Sequence, residues 1–204
     1  MFADAYLVVV DKPAGFLSVP GRGEDKQDCV AARVQQQYPD VLVVHRLDMA
    51  TSGLFLMARG ADMQRQMSLA FAGREVGKRY VAVVAGLMPE DEGTVDLPLI
   101  ADWPNRPKQM VDAANGKPSR THWRVLSRDA HANTTRVELE PVTGRSHQLR
   151  VHMMAIGHPI LGDALYARPD VLDSAPRLML HASELEFTHP ATGLTIRIGC
   201  AAPF

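Results

Sequence analysis

Short apolar runs separated by polar turns dominate the chain, and this pattern predicts mainly strands. Alternating or continuous apolar runs of about four to eight residues are typical of strands, whereas apolar residues three and four apart are typical of helices. Strands are predicted over residues 6–11, 42–44, 54–58, 79–85, 120–126, 135–140, 185–188 and 195–198. Helices are predicted over residues 29–38, 62–72 and 147–156. Such a mixture predicts an α+β domain with a largely antiparallel, mixed central sheet flanked by helices and loops.

One segment, residues 103–118, interrupts this pattern. It is rich in proline and basic residues and has no apolar periodicity. Long irregular segments inside a compact domain are often functional loops. We therefore expect an inserted loop here that contacts a ligand.

Composition excludes several classes of protein. The chain has 204 residues, of which 46% are apolar and 22% are charged, which is typical of a globular domain. Its two cysteines are far apart, which argues against a disulfide scaffold and favours a reducing compartment. No apolar stretch approaches the roughly 20 residues that span a bilayer, and no secretory signal is visible. We expect a cytoplasmic protein that does not contact membranes.

Charge is unevenly distributed although the formal net charge is only −1. One stretch contains six basic residues opposed only by Asp112, namely Arg106, Lys108, Lys117, Arg120, Arg124 and Arg128. A second stretch, residues 142–160, contains Arg145 and Arg150 and no acidic residue. Local basic surface engages phosphates even on a neutral protein, although charge runs are also typical of solvated faces.

The chain lacks the common cofactor motifs. It has no phosphate-binding loop of the GxxxxGK[ST] type, and the glycines of residues 21–23 lack the context of a dinucleotide site. His147 and His152 are five residues apart, about 140° around a helix, so they do not chelate one metal together. We expect neither a cofactor nor a metal.

Three segments contain candidate chemistry. In residues 44–54 (VHRLDMATSGL), Asp48 lies on a polar turn between two apolar strands, where a catalytic group would be rigidly held. A turn-forming aspartate is the alternative. Tyr80 begins an apolar strand, which is also typical of a core tyrosine. Arg150 lies beside the apolar face of the helix predicted over residues 147–156, so it is expected to be partly buried and to need a carboxylate.

Several blocks together resemble the RluA family of pseudouridine synthases. They are DKPAGFLSVPG at 11–21, HRLDMATSGL at 45–54, KRYVAVVAG at 78–86, LPLIADWPNRPKQ at 97–109 and TGRSHQLRVHM at 143–153. The resemblance runs from about residue 6 to the C-terminus. It implies a single pseudouridine synthase catalytic domain over residues 1–204, without an N-terminal S4-type RNA-binding domain. It also implies that the loop at 103–118 clasps RNA.

The resemblance implies a role for each matching residue. Asp48 would be the essential carboxylate, Tyr80 would pack on the target base, and Arg150 would pair with Asp48. Arg46 would help to displace the target uridine from its stack. Further RNA contacts are expected from the basic loop and the GRSHQLR block, at Arg106, Lys108, Arg145, His147 and Gln148.

The family isomerises uridine in RNA to pseudouridine, so the resemblance implies RNA as the partner. The family needs no cofactor. Similar enzymes modify the anticodon loop of tRNA (uridine 32) and a stem-loop of 23S rRNA (uridine 746). We expect a monomer without an obligate protein partner. Two alternatives remain: a non-catalytic RNA-binding or ribosome assembly factor of the same fold, and a hydrolase of N-glycosidic bonds.

Overall fold

Strands outnumber helices in the computed structural model, which describes residues 2–204. The strands are β1 (Phe2–Ala3), β2 (Leu7–Lys12), β3 (Val41–Val43), β4 (Ser52–Arg59), β5 (Gly77–Ala85), β6 (Glu92–Asp96), β7 (Leu99–Ala101), β8 (Gln109–Val111), β9 (Arg120–Asp129), β10 (Thr134–Pro141), β11 (Leu180–Thr188) and β12 (Thr195–Gly199). The helices are α1 (Val30–Gln37), α2 (Ala61–Gly73), α3 (Gln148–Ala155) and α4 (Pro169–Leu172). The chain divides into a first unit, residues 2–78 and 181–203, and a second unit, residues 79–180 and 204.

The first unit contains a mixed sheet. Strand β2 lies between β1 and β4 and is antiparallel to both. Strand β3 pairs antiparallel with β4, and β12 pairs antiparallel with β11. The β4 and β11 pair is parallel and joins Ser52 to His181 and Gly53 to Ala182. Gly53 has φ of +107°, and a Cβ there would lie 2.3 Å from the Ala182 carbonyl oxygen. Only glycine therefore fits where these two strands meet.

One face of this sheet packs against α2. Side chains alternate between the faces of a strand, so every second residue faces this core. The core contains Leu7, Val9, Leu54, Leu56, Ala58, Met63, Met67, Val76, Leu185 and Phe187. Burial of these side chains provides the main driving force for closing α2 over the sheet.

The second unit contains strands in the antiparallel order β5, β10, β9 and β6. Helix α3 contacts β9 and β10 and buries Val151 and Met153 completely. Strands β7 and β8 form a separate hairpin. The segment at 103–118 follows β7 and contains β8, so it is more regular than the loop that we expected.

The α+β class with a largely antiparallel, mixed sheet is confirmed. Each of the three predicted helices starts one residue away from its predicted start, and α1 begins at Val30 because Cys29 is its N-cap. Gly60 caps α2, two residues before the predicted start at Asp62, and α3 begins at Gln148 because His147 adopts a left-handed conformation with φ of 54°. Within residues 2–204, no helix is both long enough and apolar enough to cross a membrane.

Candidate active site

Asp48 lies, partly buried, on the loop between β3 and β4. Its carbonyl oxygen accepts a hydrogen bond from the Thr51 N–H at 3.1 Å, which closes the turn. The preceding residue, Leu47, is buried and bonds the Ser18 hydroxyl twice. The Leu47 N–H donates to Ser18 Oγ at 3.2 Å, and the Leu47 carbonyl accepts from it at 2.8 Å. These contacts fix the backbone on one side of Asp48.

Lys12 fixes the backbone on the other side of Asp48. Its side chain is fully buried, and the ammonium group donates to the Met49 carbonyl at 2.9 Å. It also donates to the carbonyls of Pro13 at 2.9 Å and Phe16 at 2.6 Å. A buried ammonium group is tolerated only with such partners. Our sequence reasoning missed this lysine, although it belongs to the DKPAG block.

His45 anchors the chain that leads into the Asp48 loop. Its Nε2 accepts the Leu56 N–H at 3.0 Å, and its ring stacks on Phe71 at 4.5 Å between centroids. Burial, assisted by the charge of Lys78, lowers the pKa of His45 to about 3. His45 is therefore neutral near pH 7, with its proton on Nδ1. Arg46, the next residue, is exposed.

Tyr80 lies on β5 in the second unit, partly buried and opposite Leu139 of β10. Arg150, on α3, belongs to the same unit, whereas Asp48 belongs to the first. Both Tyr80 and Arg150 are therefore presented by regular elements, which hold a side chain more precisely than a loop does.

Arg150 and Asp163 form a buried, two-point ion pair. Arg150 Nε lies 2.8 Å from Oδ2, and Nη2 lies 2.6 Å from Oδ1. The two side chains are 5% and 1% exposed. The N–H groups of Leu165 and Tyr166 also donate to Oδ1, at 2.9 and 3.2 Å. The predicted burial of Arg150 beside a carboxylate is confirmed, but this carboxylate is Asp163. The pairing with Asp48 stays a prediction.

Tyr166 connects the start of α3 with the hairpin of β7 and β8. The Arg150 Cζ lies 5.1 Å from the centre of the Tyr166 ring. The Tyr166 hydroxyl lies 2.6 Å from His147 Nδ1 and accepts the N–H of Gln109, the first residue of β8, at 2.8 Å. One tyrosine thus contacts two predicted site residues and the basic segment.

Gln148 lies inside the second unit rather than on its surface. Its Oε1 accepts from the Thr143 hydroxyl at 2.7 Å and from the Arg145 N–H at 3.0 Å. Its Nε2 donates to the Arg120 carbonyl at 2.9 Å and to Thr121 Oγ1 at 3.0 Å. These four hydrogen bonds assign the amide to holding the GRSHQLR turn, and its predicted contact with RNA stays a prediction.

The remaining predicted RNA contacts lie nearer the surface. Arg106 and Arg145 are exposed, and Lys108 is half-buried. The Arg106 guanidinium stacks on the exposed Trp103, with Cζ 4.4 Å from the ring centre. Other arginines of this basic stretch form ion pairs, namely Arg120 with Asp96, Arg124 with Glu138 and Arg128 with Asp91. Arg106 and Arg145 are not members of these three ion pairs.

The fold and the site together define the class of the protein. The family model described as "RNA pseudouridylate synthase" matches residues 6–155, which include Asp48, Tyr80 and Arg150. The chain belongs to this family. It is an enzyme, an isomerase that converts uridine in RNA to pseudouridine.

The chain is also similar to individual members of this family. The chain is 52% identical over 204 residues to the dual-specificity RNA pseudouridine synthase RluA of Escherichia coli K12, covering 100% of this chain and 93% of the relative. It is 50% identical to the protein of that name from Yersinia pestis, covering 100% and 98%. The solved structure of human RNA pseudouridylate synthase domain containing 1 superposes with a TM-score of 0.83 at 27% identity, covering 100% of this chain and 82% of that one.

Proposed function

We propose that this enzyme has dual specificity and modifies both the anticodon stem-loop of tRNA and a stem-loop of 23S rRNA. The observation that carries the proposal is the 52% identity, over the whole chain, to a relative whose name states dual specificity. The enzyme acts as a cytoplasmic monomer, in the compartment where both RNAs are present.

Asp48 is the reacting carboxylate in this proposal. The target uridine first leaves its stack, at a cost of a few kcal/mol that contacts in the site offset. With Asp48 acting at the ribose, the C1′–N1 bond breaks, the base rotates, and C5 bonds to C1′. N1 gains a proton and C5 loses one, so atoms balance without a co-reactant. The hydrogen bonds to Leu47 and Met49 support this role because they fix the loop before RNA binds.

Arg150 and Tyr80 assist this step. Asp163 holds Arg150 through Nε and Nη2, and the pairing of Arg150 with Asp48 is part of this proposal. A neighbouring positive charge favours the ionised carboxylate. Tyr80 offers its ring to the base, since stacking accepts a base without reading its sequence.

Arg46, Arg106, Lys108 and Arg145 supply contacts to the RNA backbone. Arg46, Arg106 and Arg145 are exposed, as phosphate contacts require. His147 acts at the edge of this surface, where the Tyr166 hydroxyl fixes its ring. Gln148 shapes the turn that presents Arg145.

The test uses purified enzyme and transcripts of both stem-loops labelled with tritium at C5 of uridine. Tritium release reports the loss of the C5 proton, and nucleoside chromatography identifies pseudouridine. We expect release from both RNAs, and loss of release in Asp48→Asn with binding retained. Asp62→Asn, an exposed acid on α2, is the matched control and should remain active.

Each alternative has its own outcome. Release from one RNA alone would refute dual specificity. Free uracil as the product would indicate a hydrolase. Full activity of Asp48→Asn would show that Asp48 does not take part in the reaction. The molar mass measured by light scattering tests whether the enzyme is a monomer.

A further inference from the structure

The first unit places four polar side chains on one face of its sheet. Asp11 follows Leu7 and Val9 at alternate positions on β2, and Ser52 precedes Leu54 and Leu56 on β4 in the same way. His181 shares the face of Leu185 on β11, and Cys200 continues the series of Ile196 and Ile198 just after β12. The alternate apolar residues all belong to, or pack against, the core beneath α2. Asp11, Ser52, His181 and Cys200 therefore form a polar end to this apolar face.

Three of these residues have possible metal-ligand atoms that lie close together. One donor atom each from Asp11, His181 and Cys200 lie within 4.8 Å of one another. In a tetrahedral zinc site with ordinary bond lengths, donor atoms are separated by about 3.3–3.6 Å. Closing this difference requires side-chain rotations of Asp11, which is exposed, and Cys200, which is half-buried. The same exposure gives an ion a route into the cluster.

His181 is already held as a metal-binding histidine is held. It is 1% exposed, and its Nδ1 lies 2.9 Å from Ser52 Oγ. In metal sites, a hydrogen bond to one ring nitrogen fixes the ring and the tautomer so that the other nitrogen binds the ion. With a metal bound, Ser52 would hold Nδ1 in this way and the ligand nitrogen would be Nε2.

We propose that Asp11, His181 and Cys200 form a zinc-binding site that joins β2, β11 and the segment after β12. A nitrogen, a sulfur and an oxygen donor together suit zinc, whereas magnesium and calcium prefer oxygen donors alone. Side chains on β2 alternate, so Asp11 lies on the opposite face from Lys12 and from its contacts with the Asp48 loop. The site therefore adds to the fold and is separate from the reaction.

The test titrates the full chain with zinc in the presence of a chromophoric chelator. We expect one zinc ion per chain to be retained, and cobalt to give the near-ultraviolet charge-transfer band of a thiolate ligand. Cys200→Ser should abolish that band and weaken zinc binding by at least about 10-fold. Asp11→Asn should also weaken binding, and both variants should keep pseudouridine formation.

Cys29→Ser is the matched control, since Cys29 is buried at the start of α1 and its sulfur accepts the Ala32 N–H. It should bind zinc as the unaltered chain does. No retained zinc in the unaltered chain, or equal retention by Cys200→Ser, would overturn the proposal. Because the readouts are zinc and cobalt binding, this result is independent of the outcome of the tritium assay.

Discussion

Arg150 and Asp163 form a two-point ion pair inside the second unit, with N–O distances of 2.6 and 2.8 Å. Two backbone N–H groups also hold Oδ1 of the carboxylate. A guanidinium bound at two points in a buried pair has little rotational freedom. Asp163 is therefore a positioning residue for the arginine that we assign to Asp48.

Asp163→Asn should destabilise the protein strongly, because it leaves the Arg150 charge buried without its carboxylate. Removing one partner of a buried pair costs about 3–5 kcal/mol. Urea unfolding measures this decrease in stability. Asp170→Asn is the control, because Asp170 and its partner Arg168 are 67% and 78% exposed and water screens their attraction. Equal decreases in the two variants would contradict the importance of burial.

Lys12→Met should lower kcat more than it raises KM, because Lys12 acts on the Asp48 loop and not on RNA. The substitution leaves three carbonyls without this donor, and each bond to a charged group contributes about 1.5–3 kcal/mol. Steady-state kinetics and near-ultraviolet circular dichroism separate a shifted loop from a failed fold. Lys26→Met, at an exposed lysine, should change neither quantity. Unaltered kcat in a folded Lys12→Met variant would refute the assignment.

The stability of the protein should fall as pH decreases from about 6.5 towards 3, in part through His45. Its folded pKa of about 3 lies below the ordinary value of 6.5, so the unfolded chain binds the proton first. The contribution of His45 to the free energy of unfolding is therefore complete above pH 6.5. Below that pH it decreases by up to about 1.4 kcal/mol per pH unit. Urea unfolding at several pH values measures the slope. His45→Gln should reduce the slope, whereas exposed His131→Gln should leave it unaltered.

Arg106→Gln should weaken RNA binding and reduce its dependence on salt. Each phosphate that the protein no longer neutralises lowers the slope of log K against log salt by about 0.7–0.9. Filter binding from low to moderate salt measures the slope. Arg124→Gln should have a smaller effect, because Glu138 already shares the Arg124 charge. A larger change in Arg124→Gln would place the RNA on β9 instead.

Local patterns were sufficient for much of the fold and for the family. The apolar run at 6–11 gave β2, and the continuous blocks around Asp48, Tyr80 and Arg150 identified the enzyme class. Strand alternation and short motifs depend on neighbours in the chain, so they are visible without coordinates. The helix starts were less accurate, because Gly60 and the left-handed His147 cap by backbone conformation and not by a side chain.

The contact partners of the site residues can be identified only in the folded structure. Asp163 beside Arg150, the carbonyls around Lys12 and the inward amide of Gln148 have no signature in the sequence. The cluster of Asp11, His181 and Cys200 likewise depends on the pairing of β4 with β11 and of β11 with β12. Strand register and packing bring such distant residues together, and these depend on the burial of the whole core rather than on any local stretch.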